Sequence, residues 1–297
     1  MIKNKTIRYF ILSFMAASFL VSCDDVEAPY LIEVGGADTS VCPVPEFPHV
    51  HDPVKRVLLE DYTGHTCVNC PTAAKLAHDL NDALGDKLVV IAVHAGFFAW
   101  PMAGDYSADF RTEAGTEWDN LFGISKVGNP NGMVDRVGYS TTHILSPGAW
   151  SDKIDQQLAR EPEVDIQVIN EYSDAERRLC THAQVMFLRE THRNLNLSLV
   201  ITEDEVVAPQ KNNNPDIGTT PDIMDYEHNH LLRGAINTPW GIGISTEEVA
   251  VQEDTEVLKT YKYILDAAWD PYKCRVIAFV YDMDTKEVLQ VFEAPVI

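Results

Sequence analysis

Basic residues are scarce in this chain, 23 lysines and arginines against 45 aspartates and glutamates, for a formal net charge of -22. A surface of that sign repels phosphate backbones and anionic headgroups, which excludes nucleic acid as a partner. Apolar runs are short as well. The one from Tyr9 to Val21 falls below the roughly 20 residues that a membrane-spanning helix needs. No P-loop or dinucleotide glycine pattern, no Ser-His-Asp order and no EF-hand spacing occurs, so neither the sequence nor its motifs call for a cofactor or a resident metal. Cysteine is also sparse, with six in 297 residues, and its placement carries most of the chemistry.

What is present begins with an address. Lys3, Lys5 and Arg8 precede the apolar run, the order of an export signal. The run ends in Leu20-Val21-Ser22-Cys23, which looks like the lipobox of bacterial lipoproteins; the resemblance implies that residues 1–22 are removed and that Cys23 is acylated. Cleavage there removes three positive charges and no acidic ones, taking -22 to -25. Membrane contact then rests on the acyl chains alone. Residues 23–53 hold Asp24, Asp25, Glu27 and several prolines without any period, and read as a tether. Acidic residues directly after the cysteine resemble surface-export signals of Bacteroidetes lipoproteins. The expected location is the outer membrane, on its periplasmic face or at the cell surface.

The chain is organised around Val57 to Pro71, where a short apolar strand leads through a glycine turn into Cys67-Val68-Asn69-Cys70. Ala73, Leu76, Ala77, Leu80 and Leu84 follow at helical spacing, which places Cys67 at a predicted helix start covering Cys67 to Leu84. Unpaired backbone N–H groups and the helix dipole favour a thiolate at such a position. Three uses fit the pair: a redox couple with Cys67 as nucleophile and Cys70 as resolving thiol, a fixed disulfide, or part of a metal site. His65, two residues before Cys67, and His94, at the end of the apolar strand Leu88–Val93, are the imidazoles to consider beside the sulfurs. Both also fit ordinary turn and strand-end positions.

Residues 54–162 alternate strand and helix, an α/β layer. Strand, Cys-x-x-Cys, helix, apolar strand, then Val127-Gly128-Asn129-Pro130 leading into a further strand resembles the thioredoxin fold. The resemblance implies that Pro130 is a cis-proline beside the disulfide, that the Asn129 backbone pairs with a bound peptide, and that Asp61 relays the second cysteine's proton. Thr66 and Asn129 depart from the residues usual in that fold, and Asp61 also suits a solvated strand end. The aromatic insertion from Phe97 to Trp118 reads as a lid.

Residues 163–297 change to short alternating strands, which predict an antiparallel β-sandwich. The stretch from Glu203 to Glu227 has little periodicity and is either disordered or a contact surface. His228 and His230 would share a face if their segment is a strand. Cys180 and Cys274 both open strand-like runs, so either a bridge between them or two buried thiols is expected, with Cys42 left free or joining two molecules.

Taken together, the lipobox, Glu60-Asp61-Tyr62-Thr63-Gly64 before the cysteines, and Tyr226 to Arg233 resemble the Bacteroidetes twenty-eight-kilodalton outer membrane protein family. That resemblance implies a lipoprotein with a thioredoxin-like part. The leading expectation is thiol-disulfide exchange with thiols or disulfides of exported proteins. The alternative is a non-enzymatic surface binding or adhesion lipoprotein that uses the same fold as a scaffold.

Overall fold

The structure, a computed structural model, describes residues 40–297; the expected export signal, Cys23 and the first part of the expected tether lie outside the described residues. Its elements in order are β1 (Val57–Thr63), α1 (Cys70–Leu84), β2 (Leu88–His94), α2 (Glu113–Phe122), α3 (Ile124–Val127), β3 (Asn131–Val134), α4 (Trp150–Leu158), β4 (Val164–Ser173), β5 (Arg178–Phe187), β6 (Leu195–Glu203), β7 (Val206–Lys211), β8 (Asp222–His228), β9 (Leu231–Ala235), β10 (Ile242–Gly243), β11 (Glu256–Ile264), β12 (Cys274–Asp282) and β13 (Val288–Pro295). The fold is mixed α/β, with three sheets among the described residues and mostly antiparallel pairing.

β1 and β2 are buried along nearly their whole length, as a near-continuous apolar run requires of a central strand. They pair in parallel across α1, and β3 adds antiparallel to the other edge of β1. The apolar stripe of α1, with Ala73 and Ala77 buried, packs with Trp150 and Ile154 of α4 over Val57, Leu59, Leu88 and Val90. On the opposite face Leu58, Tyr62, Ile91 and Val93 meet Trp118 and Phe122 of α2.

The sheet does not stop at the expected boundary at 162/163. It runs β13-β12-β6-β9-β2-β1-β3, so strands from both expected parts lie in one layer. The joint is narrow: β2 and β9 meet at Ala92 and Leu231, with the Ala92 amide donating to the His230 carbonyl at 2.8 Å. Against β6, β12 and β13 lies the separate antiparallel sheet β11-β5-β4, and Val164, Ile166, Val185, Leu197, Leu199 and Val276 belong to the second core between them. Alternation of apolar and polar residues along these strands supplies the inward faces.

Two polar residues tie the ends of the large sheet together. Asp135 accepts from buried Lys55 at 2.8 Å and from the Leu58 amide at 2.8 Å, while its own carbonyl accepts from the Val288 amide. Gln290 accepts from the Arg56 amide and donates to the carbonyls of Val54 and Val164. Within the interior, Arg136 and Glu60 are both fully buried and joined by two hydrogen bonds of 2.8 Å.

Two expectations about the second half change. The cysteines pair as Cys42 with Cys180, leaving Cys274 a buried free thiol. Cys180 and Cys274 lie on strands of different sheets, and the segment before β1 returns to β5, where the Val41 carbonyl is near the Arg178 guanidinium and the Cys180 sulfur. The stretch 203–227 is ordered, forming the two-stranded hairpin β7–β8. Its strands are short and its turn rich in asparagine and proline, which hides the period.

Candidate functional site

Cys67 and Cys70 are joined as a disulfide with Cα atoms 5.4 Å apart. The helix begins three residues later than the spacing suggested. Cys70 is the first residue of α1, and Pro71 takes the early position where a missing N–H costs nothing. Cys67 lies in the preceding turn, its amide donating to the Gly64 carbonyl at 3.0 Å. Gly64 is required there by close approach, because a Cβ would sit 2.4 Å from the Phe98 carbonyl carbon. The insertion after β2 thus packs directly on the turn, with the Thr66 hydroxyl donating to the Phe98 carbonyl at 2.8 Å.

The disulfide is covered. Cys67 is 2% exposed and Cys70 1%. The cover is the β7–β8 hairpin, whose Lys211 amide donates to the His65 carbonyl at 2.9 Å and whose Asn213 amide donates to the Val68 carbonyl at 3.1 Å. Gln210, itself buried, donates to the Cys67 carbonyl at 3.0 Å. Asn213 and Asn214 reach Asn69 and Thr72 through their side chains. Tyr106 of the insertion and Lys211 both bind Asp222, which fastens the hairpin to the insertion.

Behind the disulfide lies a packed group of rings. His65 stacks on Tyr106 with centroids 5.7 Å apart; His94 and His228 are 5.4 Å apart, and Phe110 stands edge-on to His94. The His65 and His94 rings lie 6.4 Å apart, joined by His228, while His230 turns away toward His78. Burial lowers all three imidazoles below their usual range, His228 to about 4, so they are neutral at pH 7. Among the described residues no three His, Cys, Asp or Glu side chains are arranged to hold a metal ion. Of the insertion, Phe110 and Trp118 are buried, whereas Phe97 and Trp100 face solvent.

Asp61, on β1, is 2% exposed and its Oδ1 has no partner. Burial pushes its carboxyl up to about 7. It shares a small enclosure of about 30 Å³, room for a water molecule, with Cys70, His94 and His228. The Asn129–Pro130 bond is cis, and the Asn129 amide group donates to the carbonyls of Thr63 and Ala95 at the ends of β1 and β2. Gln210, Tyr226 and His228 were not singled out from the sequence for this site. Two short β-prone runs flanking a cluster of asparagine, proline and glycine between 206 and 228 are the hairpin signal that leads to them.

The Asp61 carboxyl has a stability consequence. Between its unfolded value near 3.8 and its folded value near 7 the native state keeps a proton that the unfolded chain releases. Stability from this group is therefore lost as pH rises from about 4 to 7, by up to about 4 kcal/mol. His228 acts in the opposite sense, with stability lost as pH falls from 6.5 toward 4. Asp61→Asn is expected to equal or exceed the parent in stability above pH 7 and to lose that advantage toward pH 4. Urea unfolding of both proteins from pH 4 to 8 measures the difference, and a flat difference would refute the assignment.

Residues 117–296 match the family of the outer membrane protein Omp28. The chain belongs to the Omp28 family. The Omp28 match includes the hairpin, His228 and Pro130, and begins after the segment that carries Asp61, Cys67, Cys70 and His94. In solved structures the chain is similar to HBP35 of Porphyromonas gingivalis, at 19% identity over 82% of this chain and 76% of that one, with a TM-score of 0.61, which shows a shared fold. An Omp28 outer membrane lipoprotein domain from Porphyromonas gingivalis matches at 20% identity over 46% of this chain and 90% of that one, with a TM-score of 0.32. No curated protein matches. Membership in Omp28 associates the chain with the outer membrane, and among the described residues no helix is long and apolar enough to cross a membrane.

Proposed function

We propose that this Omp28 protein is an outer membrane lipoprotein, anchored through Cys23, whose β1, α1, β2 and β3 form a thioredoxin-like unit that performs thiol-disulfide exchange at Cys67 and Cys70. One observation carries the reading: the disulfide at the start of α1 shares a water-sized enclosure with Asp61, an acid raised to about 7. A carboxyl with that value holds and releases a proton near neutral pH, as a thiol must when a disulfide opens and closes. Cys67 and Cys70 are the reacting pair, Asp61 is the proton carrier, and Asn129 with Pro130 braces the adjoining strand ends. The substrates are thiols or disulfides of the exported compartment.

The reduction potential of the Cys67/Cys70 pair tests this. The expected value lies between about -270 and -120 mV, the span of known exchange proteins. A pair that resists reduction until the chain unfolds, or a value below about -300 mV, would make the bridge structural. The second reading, a binding lipoprotein with the same fold as scaffold, is favoured by the hydrogen-bonded hairpin over Cys67, and that outcome would select it.

A further inference from the structure

The enclosure at Asp61 and Cys70 adjoins a larger cavity of about 300 Å³ between α1 and the hairpin. The two share Asp61, Pro71, Ala74, Ala92, Tyr226 and Asn229 as walls. Cys70 lines the inner enclosure and Cys67 lines neither space. On the other side Cys67 lies beneath the hairpin, its carbonyl held by Gln210. The hairpin thus covers Cys67, whereas Cys70, itself 1% exposed, borders the small space that adjoins the cavity on the α1 side. Ile217 of the hairpin turn lines the outer cavity, and Ala74, half-buried, walls both spaces.

From this geometry we infer that the partner in exchange is a low-molecular-weight thiol, which enters along α1 and attacks Cys70. The inference rests on the exchange reading above and names its substrate class. In the first step the incoming thiolate forms a bond to the Cys70 sulfur, the Cys67–Cys70 bond breaks, and Cys67 leaves with the electron pair as a thiolate. In the second step another thiolate of the same kind attacks the sulfur of the small molecule, and Cys70 leaves as a thiolate. Two small thiols are oxidised to one disulfide, and the protein disulfide is reduced by two electrons to Cys67 and Cys70 thiols. Asp61 takes the proton of the first entering thiol and returns it to the departing Cys70 sulfur, and the proton of the second thiol passes through solvent to the Cys67 thiolate. The lining includes Lys75, Glu227 and the imidazoles of His78 and His230, which suits a small zwitterionic or neutral thiol rather than a strongly charged one.

The test compares 2-mercaptoethanol with a reduced thioredoxin as electron donors to the oxidised folded protein, in the parent, in Ala74→Trp and in Val249→Trp, an exposed position that lines neither space. Mass-tagged alkylation followed by peptide mapping separates Cys67 and Cys70 from the Cys42–Cys180 bridge. Reduction of the parent by 2-mercaptoethanol is expected, with the acid-quenched adduct on Cys70. At equal thiol concentration, reduced thioredoxin is expected to be about tenfold or more slower. Ala74→Trp, which fills the space its side chain bounds, is expected to slow 2-mercaptoethanol about tenfold, while Val249→Trp leaves it unchanged. Equal rates for the two donors, an adduct on Cys67, or no effect of a folded Ala74→Trp protein would overturn the small-thiol route and leave exchange at this site intact. If Ala74→Trp fails to fold, Ile217→Trp, in the hairpin turn, supplies the same comparison. Resistance of the parent to both donors until it unfolds would overturn the exchange reading itself.

Discussion

Arg136→Ala is expected to destabilise the folded protein by about 3–5 kcal/mol, the cost of leaving a buried charge without its partner. Arg136 and Glu60 are 0% exposed and form a two-bond pair with no solvent to take over when one side is removed. The guanidinium also lies about 5 Å from the ring centres of Trp118, Phe122 and Phe279, so truncation empties an aromatic cage as well as orphaning a carboxylate. The double variant Arg136→Met with Glu60→Leu is expected to recover most of the loss, because an apolar pair has no desolvation cost to offset. Urea unfolding of the single and double variants measures both. A loss below about 1 kcal/mol for Arg136→Ala would mean that water reaches the pair and that the interior is not closed as described.

Opening the Cys42–Cys180 bridge by Cys42→Ser is expected to cost about 5 kcal/mol, since the bridge closes a loop of sequence separation 138. The effect acts through the unfolded chain, which regains the freedom that the loop denied it. The Cys67–Cys70 bridge closes a separation of only 3, and its removal is expected to cost about 1–2 kcal/mol on the same account. Denaturant unfolding of the two variants therefore ranks the bridges. If Cys67→Ser costs as much as Cys42→Ser, the short bridge braces the native turn and its hairpin, which would weaken the case for reversible opening.

Much of this arrangement was legible from local pattern. The run Leu88 to Val93, apolar at consecutive positions, gave a strand buried on both faces, and the stripe from Ala73 to Leu84 gave the helix after the cysteines. The alternation near Val164, Leu195 and Cys274 gave strands where β4, β6 and β12 lie. Asp61 came from the thioredoxin resemblance and His94 from its place at the end of an apolar strand, and both line the enclosure at Cys70. The helix start was misplaced because the Pro71 position, not the first cysteine, sets where helical hydrogen bonding begins.

Other features depend on residues distant in the chain. His228 joins His94 across more than a hundred residues, and Gln210 reaches the Cys67 carbonyl across a sequence distance of 143. Neither contact has a period or a motif. Cysteine pairing was equally out of reach, because spacing does not say which strand a terminal segment will return to.

By itself the sequence determined the acidic composition, the Cys-x-x-Cys at a helix entry and the strands themselves, since each follows from composition, spacing or a repeat of two or 3.6 residues. Only the tertiary structure decided that Cys42 pairs with Cys180, that one sheet crosses the two halves, and that a hairpin covers Cys67 while Cys70 borders a small space shared with Asp61. The physical reason is that burial and access are properties of surfaces brought together from far apart, and chain neighbours alone carry no record of them.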